Sequence, residues 1–390
     1  MRFCFLTECD SHPGTTHSAR YWELVDEVLM AEKVGFDLFG ASEQHFAIGG
    51  ATVSAPETLF PYLMALTTRI RFLHAVALLP KNFNHPLRVA ERIATEDILS
   101  HGRVELGTGR GNTPLALRAF EVSPEENKSQ WDEGIDLIRA AFLNDPFMFE
   151  GQHYKVPPRS LVPKPVQRPH PPLSVAATSP ATHEQAARKG IGVISFASFM
   201  GFEYTRNALR LYDETFDASS HDFPVNRHKA ALVGGGMHCA ETTEHARREM
   251  APALAYAALA VGGYDRLSQL SSDYAYMGAV KNVDFGNTDY LLNESAGFVV
   301  GDPDECIRQI RVFEELGIET LVMRIDSLPH EQLLRSIELF GKYVIPHFQN
   351  PEAVVRPAED VLEQIRAQRP IHEERLRQLA EDTAPAGQTA

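Results

Sequence analysis

The sequence predicts a (β/α)8 barrel, the TIM-barrel fold, with insertions after the fourth and seventh strands. Three observations carry that prediction. Short apolar runs alternate with helical patterns through most of the 390 residues, about eight β-then-α units, which favours a closed barrel over an open doubly wound sheet. No Pro/Gly/Ser-rich linker divides the chain into two patterns, and barrels of this size routinely form one domain. Hydrophobic residues make up 44% of the chain, enough for one large core.

The first strand is read at residues 2–6, and a polar loop leads into an amphipathic helix over about 18–34 that Gly35 closes. "FDLFGAS", residues 36–42, is the second strand. A helix around 56–67 leads into the third and longest, "IRFLHAVALL", at 70–79. "HPLRVAERIATEDILSHG" repeats apolar residues at helical spacing with a glycine just past its end, and "RVELGT" follows as the fourth strand. After a helix at 125–143 the rhythm pauses in a hairpin at 147–156 and a proline-rich crossing at 157–172. It resumes with "LSVAA", a helix at 179–189, "GVISFA", a helix near 202–216, and "KAALVGGGMH", read whole as the seventh strand. A helix at 243–259 precedes an excursion over 261–295 rich in Gly, Ser, Tyr and Asn, read as a lid. The helix at 302–316, the strand "TLVMRI" and the helix at 330–345 complete a single domain over 1–348. Residues 349–390 read as a charged, partly helical tail with a disordered end.

The net charge of −15 argues against nucleic acid or an anionic membrane as a general partner, so any bound anion needs a local cradle. The four cysteines are scattered with no Cys-x-x-Cys, which fits a reducing compartment rather than a disulfide framework or zinc site. "MRFCFLTECD" turns acidic within ten residues and is no signal peptide, and no apolar stretch is long enough to span a bilayer. The expectation is a soluble, cytoplasmic protein.

In such barrels chemistry sits at the carboxyl ends of the strands. Those ends offer Glu8 and Cys9; Glu43, Gln44 and His45; Asn82, Asn84 and His85; residues 108–112; Thr178 and Ser179; and Arg324 to Asp326. His12, His17, His45 and His85 show no spacing that places two metal ligands on one face, so no metal is expected. "ATSPATHEQAARKG" makes Ser179 a helix cap, puts Pro180 in the first turn and sets Thr182 one turn in. Backbone N–H groups at a helix start, together with two hydroxyls, form an anion site. In a barrel the ends of the fourth and fifth strands are neighbours, so Arg110 in "GTGRGN" can point at the same anion. Its flanking glycines favour close approach of a ligand to backbone. The glycine spacing is not that of a dinucleotide-binding motif.

"GFDLFGASEQHF", "HPLRVAERIATEDILSHGRVELGTGRG", "ATSPATHEQAARKG" and "ELFGKYVIPHF" together resemble the bacterial luciferase-like flavin-dependent monooxygenase family, over about residues 1–348. The resemblance implies a (β/α)8 barrel, a homodimer, and reduced FMN, or a deazaflavin in one branch. It implies that Arg110, Ser179 and Thr182 hold the cofactor phosphate, with Gly109 and Thr178 beside them. Lys128 stands where many members have arginine. Ala75 and Val76 fall on the third-strand segment under the isoalloxazine ring, commonly with a cis peptide that the sequence by itself does not call for.

Two departures bear on mechanism. Light-emitting members end the second strand Glu-His-His-Phe, with the first histidine catalytic, and here that position is Gln44. Their reactive cysteine aligns with Gly109. The expected reaction is oxygenation of a hydrophobic small organic substrate by reduced FMN and O2, with a separate flavin reductase, and no light. Gln44, His45 and His12 are the candidate catalytic residues. Gln44 donates a hydrogen bond but transfers no proton, whereas His45 does both. Strand alternation, however, turns His45 away from the side that Gln44 faces. Other readings are a deazaflavin-dependent dehydrogenase, an isomerase or lyase acting on a phosphorylated substrate, and a non-catalytic flavin-binding relative.

Overall fold

A computed structural model describes residues 1–47, 50–196, 200–268, 275 and 286–349. The chain begins β1 (Arg2–Thr7), α1 (His17–Val34), β2 (Leu38–Ala41), α2 (Pro56–Leu66), β3 (Arg71–Leu78), α3 (Pro86–Leu99) and β4 (Val104–Gly109). A short α4 (Pro114–Ala119), α5 (Asn127–Leu143) and the hairpin β5 (Phe147–Glu150) with β6 (Lys155–Arg159) follow. The alternation resumes with β7 (Leu173–Ala177), α6 (Pro180–Lys189), β8 (Gly192–Ser195), α7 (Phe202–Ala218) and β9 (Lys229–Val233). Then come β10 (Gly236–Cys239), α8 (Thr243–Leu267), α9 (Thr288–Asn293), β11 (Phe298–Gly301), α10 (Pro303–Glu315), β12 (Thr320–Arg324) and α11 (His330–Tyr343).

Eight strands close into a parallel barrel in the order β1-β12-β9-β8-β7-β4-β3-β2. Period-two alternation explains how one short sequence serves two cores. On β1, Cys4 and Leu6 point inward and pack with Leu38, Leu73, Ile194, Ala230 and Val322. Phe3 and Phe5 point outward, into the layer between strands and helices, where Phe36, Phe39 and Phe340 meet their rings. At the amino-terminal end of the barrel, Glu105 accepts from Arg2 at 2.7 Å and Arg71 at 2.6 Å.

Three expectations need correction. The run at 229–238 is two strands: β9 stays in the barrel, while β10 leaves it and pairs in parallel with β11 outside. The three glycines at 234–236 allow this, since Gly236 adopts φ +144° and the Phe298 ring lies against Gly235. β11 was not expected at all, because its four residues are too short to show a period. The helix expected at 243–259 runs on to Leu267, so the excursion begins later than read, and it contains α9. The middle of the proposed lid, including Tyr274, Tyr276 and Phe285, lies outside the described residues. At the other boundary, Gln349 is tied to the barrel through Gly35 and Asp37. The rest of the tail lies outside the described residues.

Candidate active site at the barrel mouth

α6 starts at the carboxyl end of β7, and its start is built for an anion. Ser179 caps the helix, its hydroxyl accepting from Thr182 N at 3.2 Å and lying 2.9 Å from the Thr182 hydroxyl. The Ala181 N–H, in the first turn, has no helical acceptor by construction. His183 fixes this turn from behind, with one ring nitrogen 2.8 Å from the Ser179 carbonyl and the other 3.0 Å from the Ser195 hydroxyl. Burial pushes its pKa down to about 4, so it positions the turn as a neutral ring.

Arg110 reaches the same place from the end of β4, and Lys128 from the first turn of α5. Both line a cavity of about 510 Å3 together with Gly109, Trp131, Thr178, Ser179 and Thr182. Glu184 also lines it, leaving the side chains around the cavity with a small positive excess. Asn127, buried, steadies the turn by donating to the carbonyls of Arg110 and Gly111. Trp131 is held by Thr108, whose hydroxyl donates in turn to Ser174 O. Sequence reasoning missed Trp131, which sits one helical turn after Lys128 and so shares its face.

The glycines beside Arg110 are also required by packing. A Cβ at Gly109 would sit 2.6 Å from a methyl of Val76, and one at Gly111, with φ +78°, 2.9 Å from the Phe83 ring. Both glycines thus make room for neighbouring side chains, and Gly109 also lines the cavity. The Val76 that presses on β4 belongs to an irregular stretch of β3. The Ala75–Val76 peptide is cis, the β3/β4 register shifts between His74 and Ala77, and the Ala75 carbonyl accepts from the Ser42 hydroxyl.

Across the mouth the residues are of opposite sign. The Gln44 amide donates to Glu8 at 2.9 Å, and Glu8 lies 3.3 Å from the Arg324 guanidinium. Arg324 also pairs with Asp10 and, at 2.8 Å, with Asp326. His45, beyond the end of β2, lies 3.0 Å from Glu43 and packs on Phe83 and Phe120. Glu43 is itself pinned by Leu78 N and Asn84. Phe46, 61% exposed, extends this aromatic rim. His12 lies in the loop after β1 with its Nε2 buried and unpaired among the described residues, and it does not line the cavity. His85 caps α3 and His17 begins α1, so both serve helix starts. Asp10 drew no attention in the sequence; its only signal there is its position two residues after a strand-end glutamate.

Among the described residues, no group of His, Cys, Asp or Glu side chains is arranged to hold a metal. None of their helices is long and apolar enough to cross a membrane.

A closed (β/α)8 barrel with a capped helix start, Arg110 and Lys128 around one cavity defines a barrel whose candidate site lies at the carboxyl ends of its strands. The particular family follows from comparison. Residues 1–320 match the luciferase-like monooxygenase family, and the chain belongs to it. An uncharacterised protein of Sinorhizobium fredii is 32% identical over 46% of this chain, a stretch that spans about half (52%) of that relative's length. Limonene 1,2-monooxygenase of Rhodococcus erythropolis is 27% identical over 84% of this chain and 80% of its own. Among solved structures, the monooxygenase RslO1 of Streptomyces bottropensis superposes with a TM-score of 0.72 at 26% identity, covering 90% of this chain and 100% of that one. The FMN complex of the oxygenating constituent of 3,6-diketocamphane monooxygenase from Pseudomonas putida shares the fold, with a TM-score of 0.71 at 21% identity, covering 90% and 99%. As a family member the chain is an oxidoreductase of the luciferase-like class.

Proposed function

We propose that this protein uses reduced FMN and O2 to oxygenate a hydrophobic small organic substrate. The observation that carries the reading is the convergence of Arg110, Lys128, Ser179 and Thr182 on one cavity. Two cations, two hydroxyls and a helix start suit a terminal phosphate dianion. Bound reduced flavin supplies the electrons that activate O2. The chain holds its phosphate on the β4/β7 side and offers Ala75–Val76 beneath its ring. The aromatic rim of Phe46, Phe83 and Phe120 favours an apolar substrate. The relative acting on limonene and the FMN complex of the camphane enzyme support the same reading.

Titration with FMN, riboflavin and the deazaflavin cofactor tests it. FMN should bind more tightly than riboflavin, and added flavin reductase should then support oxygenation of a terpene or ketone panel. Stronger binding of the deazaflavin, with hydride transfer in the absence of O2, would overturn the assignment.

The two strand-end residues separate under the same assay. Gln44→Ala should raise peroxide release a few-fold and lower coupled oxygenation, leaving the pH profile in place, because an amide orients without titrating. His45→Ala should cost about 1–2 kcal/mol in thermal stability through its lost ring packing and Glu43 contact. Its pH profile should stay unchanged; a lost inflection would make His45 the proton donor instead. Saturating reduced flavin keeps a binding defect from imitating lost chemistry.

A further inference from the structure

The reaction proposed above needs a proton donor, which Gln44, an amide, does not supply there, and His45 is engaged by Glu43 and packed on Phe83 and Phe120. The opposite wall of the barrel supplies one. Around the ring of strands β1 stands four places from β7, so the ends of β1 and β12 face the anion cradle across the mouth. A ligand anchored by its phosphate at β7 and lying over Ala75–Val76 directs its far end toward that wall.

Three carboxylates gather there around the single guanidinium of Arg324. They are not equally supported. Asp326, fully buried, accepts from Arg324 Nε, from Glu8 N at 2.6 Å and from the Thr7 hydroxyl at 3.3 Å. Glu8 accepts from the Gln44 amide and faces Arg324. Asp10 has the Arg324 contact through Oδ2, while among the described residues its Oδ1 takes no such set of donors. Its side chain is 16% exposed, enough to meet a ligand in the mouth. Behind it, Arg20 on α1 spends its charge on Glu27 and reaches Asp10 through the backbone carbonyl. Among the described residues, one adjacent cation for three anions leaves the cluster short of positive charge, and a shared proton restores the balance.

We propose that Asp10 is the general acid of the barrel mouth, set beside Asp326 and Glu8 and poised by Arg324. This rests on the flavin reading above. In the step it performs, the O–H bond of Asp10 breaks and its electron pair stays on the carboxylate. A new O–H bond forms on the oxygen of O2 that does not enter the substrate. That oxygen leaves as water, its second proton and both electrons coming from reduced flavin, and solvent reprotonates Asp10. Arg324 holds the carboxylate between turnovers. The ionisation of Asp10 fits: burial, then the Asp326 charge, push its pKa up to about 8 against the pull of Arg324.

Two readouts test this, one of them independent of flavin. In the apo protein, a protonated-carboxyl infrared band should disappear with a midpoint near pH 8, and Asp10→Asn should lack that band. Because the folded state retains this proton after the unfolded chain has lost it, wild-type stability should fall as pH rises from about 4 toward that midpoint. Asp10→Asn, which mimics the neutral acid, should flatten the dependence and guard against a mere folding defect. With photoreduced FMN mixed with O2 and a substrate that the wild type oxygenates, the wild-type rate of product formation should drop above the midpoint. Asp10→Asn should be slower by about tenfold or more and insensitive to pH, with Asp10→Glu restoring both. A wild-type protein with no carboxyl titrating above about pH 6, or an Asn variant with the wild-type rate and inflection, would overturn the proposal. If neither protein binds FMN, the flavin reading falls and takes this reaction with it, even where the infrared titration persists.

Discussion

Replacing Arg110 with alanine should weaken FMN binding by about 2–4 kcal/mol, roughly thirty- to several-hundred-fold in Kd. The size follows from what is lost: a charge-assisted contact to a dianion, in a half-enclosed cavity where Ser179 and Thr182 supply only neutral donors. Lys128 remains in the variant, so binding should be weakened rather than abolished. Riboflavin separates this from general damage. Lacking the phosphate, it should bind the variant and the parent about equally. Fluorescence titration of both ligands decides the matter, and an unchanged FMN affinity would place the phosphate elsewhere.

A second large effect is expected far from the mouth. Glu105→Gln should destabilise the fold by about 3–5 kcal/mol, the range for leaving a buried ion without its partner. Glu105 sits between Arg2 and Arg71 at the amino-terminal end of the barrel, its side chain 7% exposed. The neutral amide would leave two guanidiniums facing each other. Arg2 also contacts Thr320 and His228, and Arg71 donates to Gly102 O and Gln167, so neither cation can swing out without breaking further bonds. Burial alone would raise the Glu105 pKa; the two arginines reverse that and hold it well below the usual carboxylate range. A depressed carboxyl stabilises the fold above its unfolded value, roughly pH 4.3, and loses that contribution as pH falls toward the folded value. The deficit of the variant should therefore be full at neutral pH and shrink below about pH 4. Urea unfolding midpoints across that range check both the magnitude and the sign.

How much of this was legible beforehand depends on how local each feature is. The β-then-α rhythm is local, and so were the barrel and the bounds of most of its elements. Helix caps are local too, and Ser179 with Pro180 announced the anion site directly. "GTGRGN" marked Arg110, yet one reason for its glycines was not legible, because Val76 and Phe83 reach them from other elements. The seventh strand was overextended for a similar reason: its apolar run is continuous, and only packing of Phe298 against Gly235 shows where the chain leaves the barrel.

By itself, then, the sequence determined the repeating unit and the chemistry of each helix start. Tertiary structure alone decided which strand ends face one another across the mouth. Asp10 and Arg324 are more than three hundred residues apart (|i−j| = 314), and Asp10 and Asp326 are separated still further. A carboxyl's affinity for its proton depends on the burial and charges that ring closure brings to it, and no local pattern encodes those.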